Sequence, residues 1–532
     1  MAPFAADHYY KFYGLHQPLN LQPSSPAEVC VVYKPMSLCK SQFFFIKNSS
    51  VLQTFPKSRV SRFSLNANGP QGQSLLRKLW FPTRQATQLQ KRTLARSVLL
   101  QRLGASPFKR SYSTITADSI AESVNVSKPR FTLNTDKRVA YMCMGSAVLV
   151  AGIVILGGLT RLTESGLSIT EWKPVTGALP PLTQDDWERE FEKYKASPEF
   201  KQLNSHITLE DYKFIYGMEW SHRLLGRIIG TVFVLPSIYF VARRRCSVDV
   251  AWKLAGISAL IGVQGFIGWW MVASGLDEVQ LAERNSKPTV SPYRLTAHLG
   301  VAFVVCCSMV YTGLQILKQH ALIRDPEKYL GYFKQINSPN LKLFKRLSNG
   351  LFGMVFVTAL TGALVAGLDA GLIYNTFPHM GENWVPSSRE LMDPVYSRTK
   401  DSADLWWRNL LENPTTVQLN HRIMAVSTFC YTLALHLYSH RIKSNIPKPA
   451  YKALTAAIGV ASLQVTLGIC TLLWLVPTEL AAAHQAGALT LLTTVLVLVQ
   501  KLRKPTVSDM MLLRRVLGKT AEQAAKSKVV FK

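Results

Sequence analysis

The sequence predicts an all-α polytopic membrane protein with eight transmembrane helices, built as two tandem, pseudo-symmetric four-helix bundles. Three observations predict it. Eight apolar runs are long enough to cross roughly 30 Å of hydrocarbon, about 20 residues each. Lys and Arg gather on alternate loops, and the second half of the chain repeats motifs of the first. Bulk composition hides this: the 532 residues are 48% hydrophobic yet carry 61 Lys+Arg against 32 Asp+Glu, and mean hydropathy is only +0.09.

The conflict resolves when charge is mapped along the chain. Residues 1–116 hold 16 Lys/Arg and two acids, Asp7 and Glu28. Within them, Gln88 to Leu103 can form a helix with Leu and Val on one face and Arg and Lys on the other. A basic, acid-poor, amphipathic N-terminus is the composition of a mitochondrial transit peptide. Arg110-Ser111-Tyr112-Ser113 resembles a matrix-processing site cut after Tyr112. A transit segment over 1–112 is therefore expected, then a matrix linker over 113–135. The alternative is a disordered basic arm that binds nucleic acid or anionic lipid. On the transit reading no nucleic-acid partner is expected.

The eight cysteines include no CxxC spacing, which argues against a zinc site, a thioredoxin-like motif or a disulfide framework. Vicinal Cys306 and Cys307 fall within an apolar run, where small polarizable core residues fit.

The apolar runs lie near 139–159, 224–242, 252–274, 295–317, 348–368, 420–438, 452–475 and 480–500. Isolated breaks such as Pro236 are tolerable because neighbouring helices resatisfy the backbone. Orientation follows from the loops. Segments 243–253, 318–347 and 439–452 with the tail 501–532 hold 24 basic residues and five acids; the opposite loops 161–219, 275–294, 369–416 and 476–480 hold 14 basic residues and 22 acids. The basic set is expected in the matrix, with both termini, and the acidic set in the intermembrane space.

Two halves follow from a repeat. Gly157-Gly158-Leu159 through Gly166-Leu167 aligns without a gap on Gly362-Ala363-Leu364 through Gly371-Leu372. His222-Arg223 matches His421-Arg422, His298 matches His484, and Gln264 with Gly268 echoes Gln464 with Gly468. Each unit has an even number of spans, so the copies share an orientation and an axis along the membrane normal. The expected division is an N-terminal bundle over 136–320, a matrix connecting loop over 321–347, a C-terminal bundle over 348–500 and a basic matrix tail over 501–532.

His222, His298, His421 and His484 each sit at the opening of an apolar run, on the acidic-loop side. Two helices offering one imidazole each grip haem iron from both faces, and ionisable groups at membrane depth default to function. One such histidine is commonly a satisfied core residue; four at equivalent repeat positions point to two haem sites, His222 with His298 and His421 with His484. His436, 15 residues after His421, has no second histidine opposite it on the eighth run and reads as structural.

Charged neighbours fit the same picture. Arg294 is four residues before His298 and shares its helix face; Arg223 and Arg422 directly follow ligand candidates. Guanidinium groups at this depth suit haem propionates, or they snorkel to lipid headgroups. Glu219 precedes His222 by three, beside the imidazole on a continuous helix, whereas Gln418 occupies the matching place in the second half. This asymmetry suggests that one haem is worked upon and the other kept. The competing reading of Glu219 is an acid favoured by a helix dipole.

Several long motifs, in order, resemble the haem A synthase family of mitochondrial cytochrome oxidase assembly proteins. They are Gly157 through Ser168 (GGLTRLTESGLS), Glu219-Trp220-Ser221-His222-Arg223, Leu295-Thr296-Ala297-His298-Leu299-Gly300, Gly367-Leu368-Asp369-Ala370-Gly371-Leu372, Leu419-Asn420-His421-Arg422 and Ala483-His484-Gln485. The resemblance covers about residues 136–500. It implies oxidation of the C8 methyl of haem O to a formyl group through an alcohol and a gem-diol. It assigns haem O, the substrate, to His222 and His298, a resident haem b to His421 and His484, and the role of essential acid to Glu219. Some bacterial members carry a cysteine pair in the first external loop; residues 161–219 contain none, so the chain resembles the eukaryotic type. By the same analogy, electrons come from a matrix ferredoxin and its reductase. Haem O synthase and oxidase assembly factors are further candidate partners, and a homo-oligomer is left open.

Two rivals remain at this level. A membrane cytochrome that only passes electrons leaves Glu219 dispensable. A transporter with paired repeats predicts a midplane site at broken helices, whereas the polar residues here cluster near one surface.

Overall fold

The computed structural model describes residues 132–530, apart from 175 and 285. The expected transit segment and most of the linker lie outside the described residues. The eight long helices are α1 (Lys137–Leu162), α2 (Leu209–Ala242), α3 (Val248–Leu276), α4 (Pro292–Arg324), α5 (Lys342–Gly367), α6 (Pro414–Arg441), α7 (Lys448–Leu473) and α8 (Thr478–Leu502). A ninth, α9 (Val507–Val530), ends the described chain.

Local chemistry sets the ends. The Asp136 carboxylate accepts from the Arg138 N–H ahead of α1, Ser247 caps α3, and Asn413 caps α6 through Thr415 N–H, with Pro414 in the first turn. Such side chains satisfy amide groups that a helix start leaves free.

The α1–α4 helices close a ring in sequence order, α4 packing back on α1, and α5–α8 do the same. The rings meet through α1 and α4 on one side and α5 and α8 on the other. Their shared core includes Val139, Phe303, Met309, Leu351 and Leu492, all essentially inaccessible. Outer faces present Leu235 and Ile238 of α2, Phe266 of α3, Leu437 of α6 and Leu463 of α7 to the exterior. A rim of exposed large apolar side chains is what a lipid-facing surface requires.

Among the described residues, seven helices are long and apolar enough to cross a membrane: α1 to α4, the stretch Pro339–Gly367 containing α5, α7 and α8. The sixth expected span, α6, has the length at 28 residues but falls short in apolarity. Gln418, Asn420, His421, Arg422, His436 and His440 lower its mean hydropathy, and Gln418 is buried.

Two stretches expected as connections contain helices. The connecting loop holds Pro326–Ile336, and in the tail α9 buries Leu512 and Leu513 against Leu322 and Phe333. Asp509 of α9, 2% exposed, pairs with Lys318 Nζ at 3.2 Å.

Helix α2 begins 15 residues before its apolar run. A capping box, in which Thr208 and Asp211 satisfy each other's backbone N–H, starts it. Tyr212 and Tyr216 then pack on Phe191 and Tyr194 of the preceding loop. His222 therefore lies about 20 Å along α2 and not in an opening turn. The other three follow their helix starts by six or seven residues, about two turns in.

Candidate functional site

The four histidines form two facing pairs, one inside each ring. His222 of α2 and His298 of α4 have ring centres 6.5 Å apart, as do His421 of α6 and His484 of α8. Two metal–imidazole bonds of about 2 Å, with about 1 Å from each nitrogen to its ring centre, span about 6 Å. Each pair therefore has the separation that two axial ligands on one iron need.

Each ring rests on a glycine of a neighbouring helix. A Cβ at Gly157, Gly268, Gly362 or Gly468 would stand 2.8, 2.9, 3.0 or 2.9 Å from Cε1 of His222, His298, His421 or His484, respectively. The repeated glycines are there because the imidazole occupies the space of a side chain. Behind α4 and α8, Gln264 and Gln464 donate to the backbone carbonyls of His298 (3.0 Å) and His484 (2.7 Å). The Nδ1 atoms of His222, His298 and His484 and the Oε1 atoms of both glutamines are buried without a hydrogen-bond partner. Buried polar atoms are ordinarily paired, so orphans at equivalent places in both rings mark sites built for something else. The donor set and spacing fit haem.

Glu219 is 3% exposed. Its Oε2 accepts from Ser168 Oγ at 2.7 Å and Ile169 N–H at 2.8 Å. Its Oε1 accepts from Arg223 Nε at 3.0 Å and Nη2 at 2.6 Å. Arg223 also donates to the carbonyls of Ile169 (2.9 Å) and Glu171 (3.0 Å). Carboxylate and guanidinium together fasten the loop after α1 onto α2, one turn from His222.

The second half repeats the clamp with an amide. Gln418 Nε2 donates to the carbonyls of Ala370 (2.9 Å) and Tyr374 (3.1 Å), while Arg422 donates to Tyr374 (2.9 Å) and His379 (3.1 Å). Arg294 donates to Trp270 O at 2.7 Å and Gln280 Oε1 at 3.2 Å and lies over the Trp270 ring. All three arginines stand at the histidine end, and each holds a loop or helix-end carbonyl.

His436 sits elsewhere, toward the basic-loop end of α6. Its Nε2 is 3.2 Å from Nε2 of His440, with Tyr451 packed alongside. Sequence reasoning missed the ring-bearing role of the glycines, although the repeat contained them. It also missed Arg227, whose bonds to the Lys173 and Pro174 carbonyls (2.8 and 2.9 Å) extend the loop clamp.

Residues 140–496 match the family described as cytochrome oxidase assembly protein, COX15-CtaA. The chain is 55% identical over 399 residues to Heme A synthase COX15 of Saccharomyces cerevisiae, covering 75% of this chain and 82% of that one. It is 41% identical over 399 residues to Heme A synthase COX15 of Homo sapiens, covering 74% and 89%. To the Heme A synthase-mitochondrial ferredoxin fusion protein of Schizosaccharomyces pombe it is 46% identical over 404 residues, covering 74% and 65%. With four imidazoles paired inside two rings and a match across both, the chain belongs to the haem A synthase family of cytochrome oxidase assembly proteins.

Proposed function

We propose that this protein makes haem A by oxidising the C8 methyl of haem O to a formyl group. The methyl carbon gives up two electrons in each of two steps, to an external oxidant of the dioxygen class. It becomes an alcohol and then a gem-diol that loses water to leave the aldehyde. Each added oxygen comes from that oxidant or from water. The observation that carries the reading is the pair of facing imidazoles at 6.5 Å, each against a glycine, in a chain of this family. His222 and His298 hold haem O as substrate; His421 and His484 hold haem b, which supplies one-electron redox chemistry when bound.

Glu219 carries the polar work at the substrate. Held by Ser168, Ile169 and Arg223, it is a fixed negative charge one turn from His222. There it stabilises positive charge developing at the methyl carbon, or takes a proton from attacking water. Ser168 donates only one of the bonds to Oε2, and its hydroxyl can rotate to make room for that proton. Arg223, Arg294 and Arg422 would offer guanidinium N–H groups to the propionates of a bound haem; Arg422 Nε is buried with no partner.

The protein works in the mitochondrial inner membrane with both termini in the matrix, because the basic loops gather at that face. Ferredoxin and its reductase supply electrons there. The fusion of a relative to a mitochondrial ferredoxin supports this, and an acidic partner complements loops holding 24 basic residues and five acids. Haem O synthase and oxidase assembly factors stand on either side as donors and acceptors of the pigment.

Extraction of pigment from cells expressing Glu219→Gln tests the reading. Haem A should fall at least ~100-fold, the range for a lost acid–base group, with haem O accumulating and the Soret band of the purified protein retained. Normal haem A would overturn it in favour of a cytochrome that only passes electrons.

A further inference from the structure

Among the four paired histidines, His421 is the one whose Nδ1 has a side-chain partner. Thr361 Oγ1 lies 2.9 Å from it, while Nδ1 of His222, His298 and His484 is buried with none. Thr361 also sits 2.7 Å from the Thr358 carbonyl, to which its hydroxyl donates. A hydroxyl has one proton. The arrangement that gives this proton to the carbonyl leaves the Thr361 oxygen to accept from an Nδ1–H on His421. The Nε2 lone pair is then free.

The position is structural as well as chemical. Thr361 immediately precedes Gly362, the glycine beneath the His421 ring. One turn nearer the other end of α5, the Thr358 and Thr428 hydroxyls meet at 2.7 Å and join α5 to α6. In the first half the residue before Gly157 is Leu156, which has no polar atom. The repeat thus keeps the glycine and imidazole in both rings but gives the hydroxyl to one.

Resting on the proposed function, we infer that Thr361 is a positioning residue which fixes the His421 tautomer and marks the second ring as the seat of the permanently held haem. A second partner that accepts from Nδ1–H orients a ligating imidazole and raises its basicity, and losing one typically costs 10–100-fold in metal affinity. A more basic axial ligand favours ferric iron, so the hydroxyl also lowers the reduction potential. His222, without such a partner, suits a ring that must release its porphyrin after each turnover.

The test uses full-length protein, purified with its haem, carrying Thr361→Val or Thr361→Ser. The valine variant keeps the shape and loses the hydroxyl; the serine variant restores it. Potentiometric titration of the Soret band and transfer of haem to excess apomyoglobin are the readouts. Thr361→Val should move one titrating component to more positive potential and speed haem loss from one site about tenfold or more, with Thr361→Ser close to the parent in both. A valine variant identical to the parent in potential and transfer, with haem bound, overturns the role of Thr361 alone. Full haem content in His421→Ala would instead overturn the underlying site. Should Thr361→Val fail to fold, Thr361→Ser still decides: it overturns the inference if its potential and haem loss depart from the parent as far as an Ala substitution does.

Discussion

The two rings share a scaffold and differ in what fills it. Glu219 and Arg223 of the first half occupy the places of Gln418 and Arg422 in the second, and Arg223 and Arg422 each donate at 2.9 Å to the carbonyl of an aligned residue, Ile169 or Tyr374. Glu164 and Asp369 turn the chain at aligned positions with φ of 50° and 51°. The polarity facing the variable residue is opposite, however. The first loop aims a hydroxyl and an N–H at a carboxylate; the second aims two carbonyls at an amide. The lesson is that the repeat preserved the facing imidazoles, while one residue and its surrounding loop diverged together to place a charge beside only one of the two pairs.

The comparison breaks if the pairs are not separate sites, and this carries the largest expected effect. His421→Ala or His484→Ala should remove one haem from the purified protein and leave the other pair able to bind. His222→Ala or His298→Ala should abolish haem A formation and keep the resident haem. A pyridine haemochrome assay on each variant reads this directly. Equal loss of all haem from any one substitution would mean a single shared site.

The loops that cover the rings sharpen the contrast at a smaller scale. The first packs its Phe191 and Tyr194 against Tyr212 and Tyr216 of α2 and encloses Glu199, which accepts from Tyr194 O–H at 3.0 Å. Burial, then the charges of Glu219 and Glu164, push the Glu199 carboxyl up from 4.5 to about 8. The second loop is knit by hydrogen bonds around Asp404. The Ser397 hydroxyl, the Arg398 N–H, Arg408 and the Thr399 hydroxyl hold that carboxyl below the usual range.

The signs are opposite. An acid raised in the fold binds its proton more tightly than in the unfolded chain, so stability falls as pH rises from about 4.5 to about 8. An acid lowered in the fold contributes stability above its ordinary value that is lost as pH falls through the folded value. Thermal melts of the detergent-purified protein should show Glu199→Gln removing the decline on the alkaline side and gaining midpoint relative to the parent near pH 8. Asp404→Asn should lose midpoint at neutral pH and flatten the acid limb. A parent midpoint flat from pH 5 to 8, unchanged by Glu199→Gln, would refute the buried neutral acid.

Much of this was legible in the sequence because the constraints are residue-specific. Paired imidazoles suit haem iron, so His222, His298, His421 and His484 stand out, and the repeat anticipated which rings face each other at 6.5 Å. Helices buried in lipid must be apolar, which located the spans near their true centres. What stayed hidden depends on contacts between distant segments. The extension of α2 outward rests on Tyr212 and Tyr216 meeting Phe191 and Tyr194, and the helix of the tail rests on Asp509 reaching Lys318. Part of the polarity of α6 comes from buried groups such as Gln418, Thr428 and Thr432, which a hydropathy window counts as if they met lipid. Thr361 is an ordinary threonine in an apolar run until the backbone places it against His421.

The smallest expected effect lies where the rings join. Asp369, in the turn after α5, pairs with Arg161 at the end of α1 at 2.8 Å and with Lys287 at 3.2 Å. Its side chain is 35% exposed and that of Lys287 56%, so water screens much of the attraction. Such pairs contribute about 0.2–1 kcal/mol each. Arg161 is better shielded, at 14%, and is the partner that Asp369→Asn leaves uncompensated. If the rings are held together by the apolar contact of α1 and α4 with α5 and α8, Asp369→Asn should lower the melting midpoint by only a few degrees and leave haem content unchanged. Raised salt should shrink the difference between parent and variant. Loss of haem from both pairs in Asp369→Asn would show instead that this one carboxylate sets the registry of the two rings.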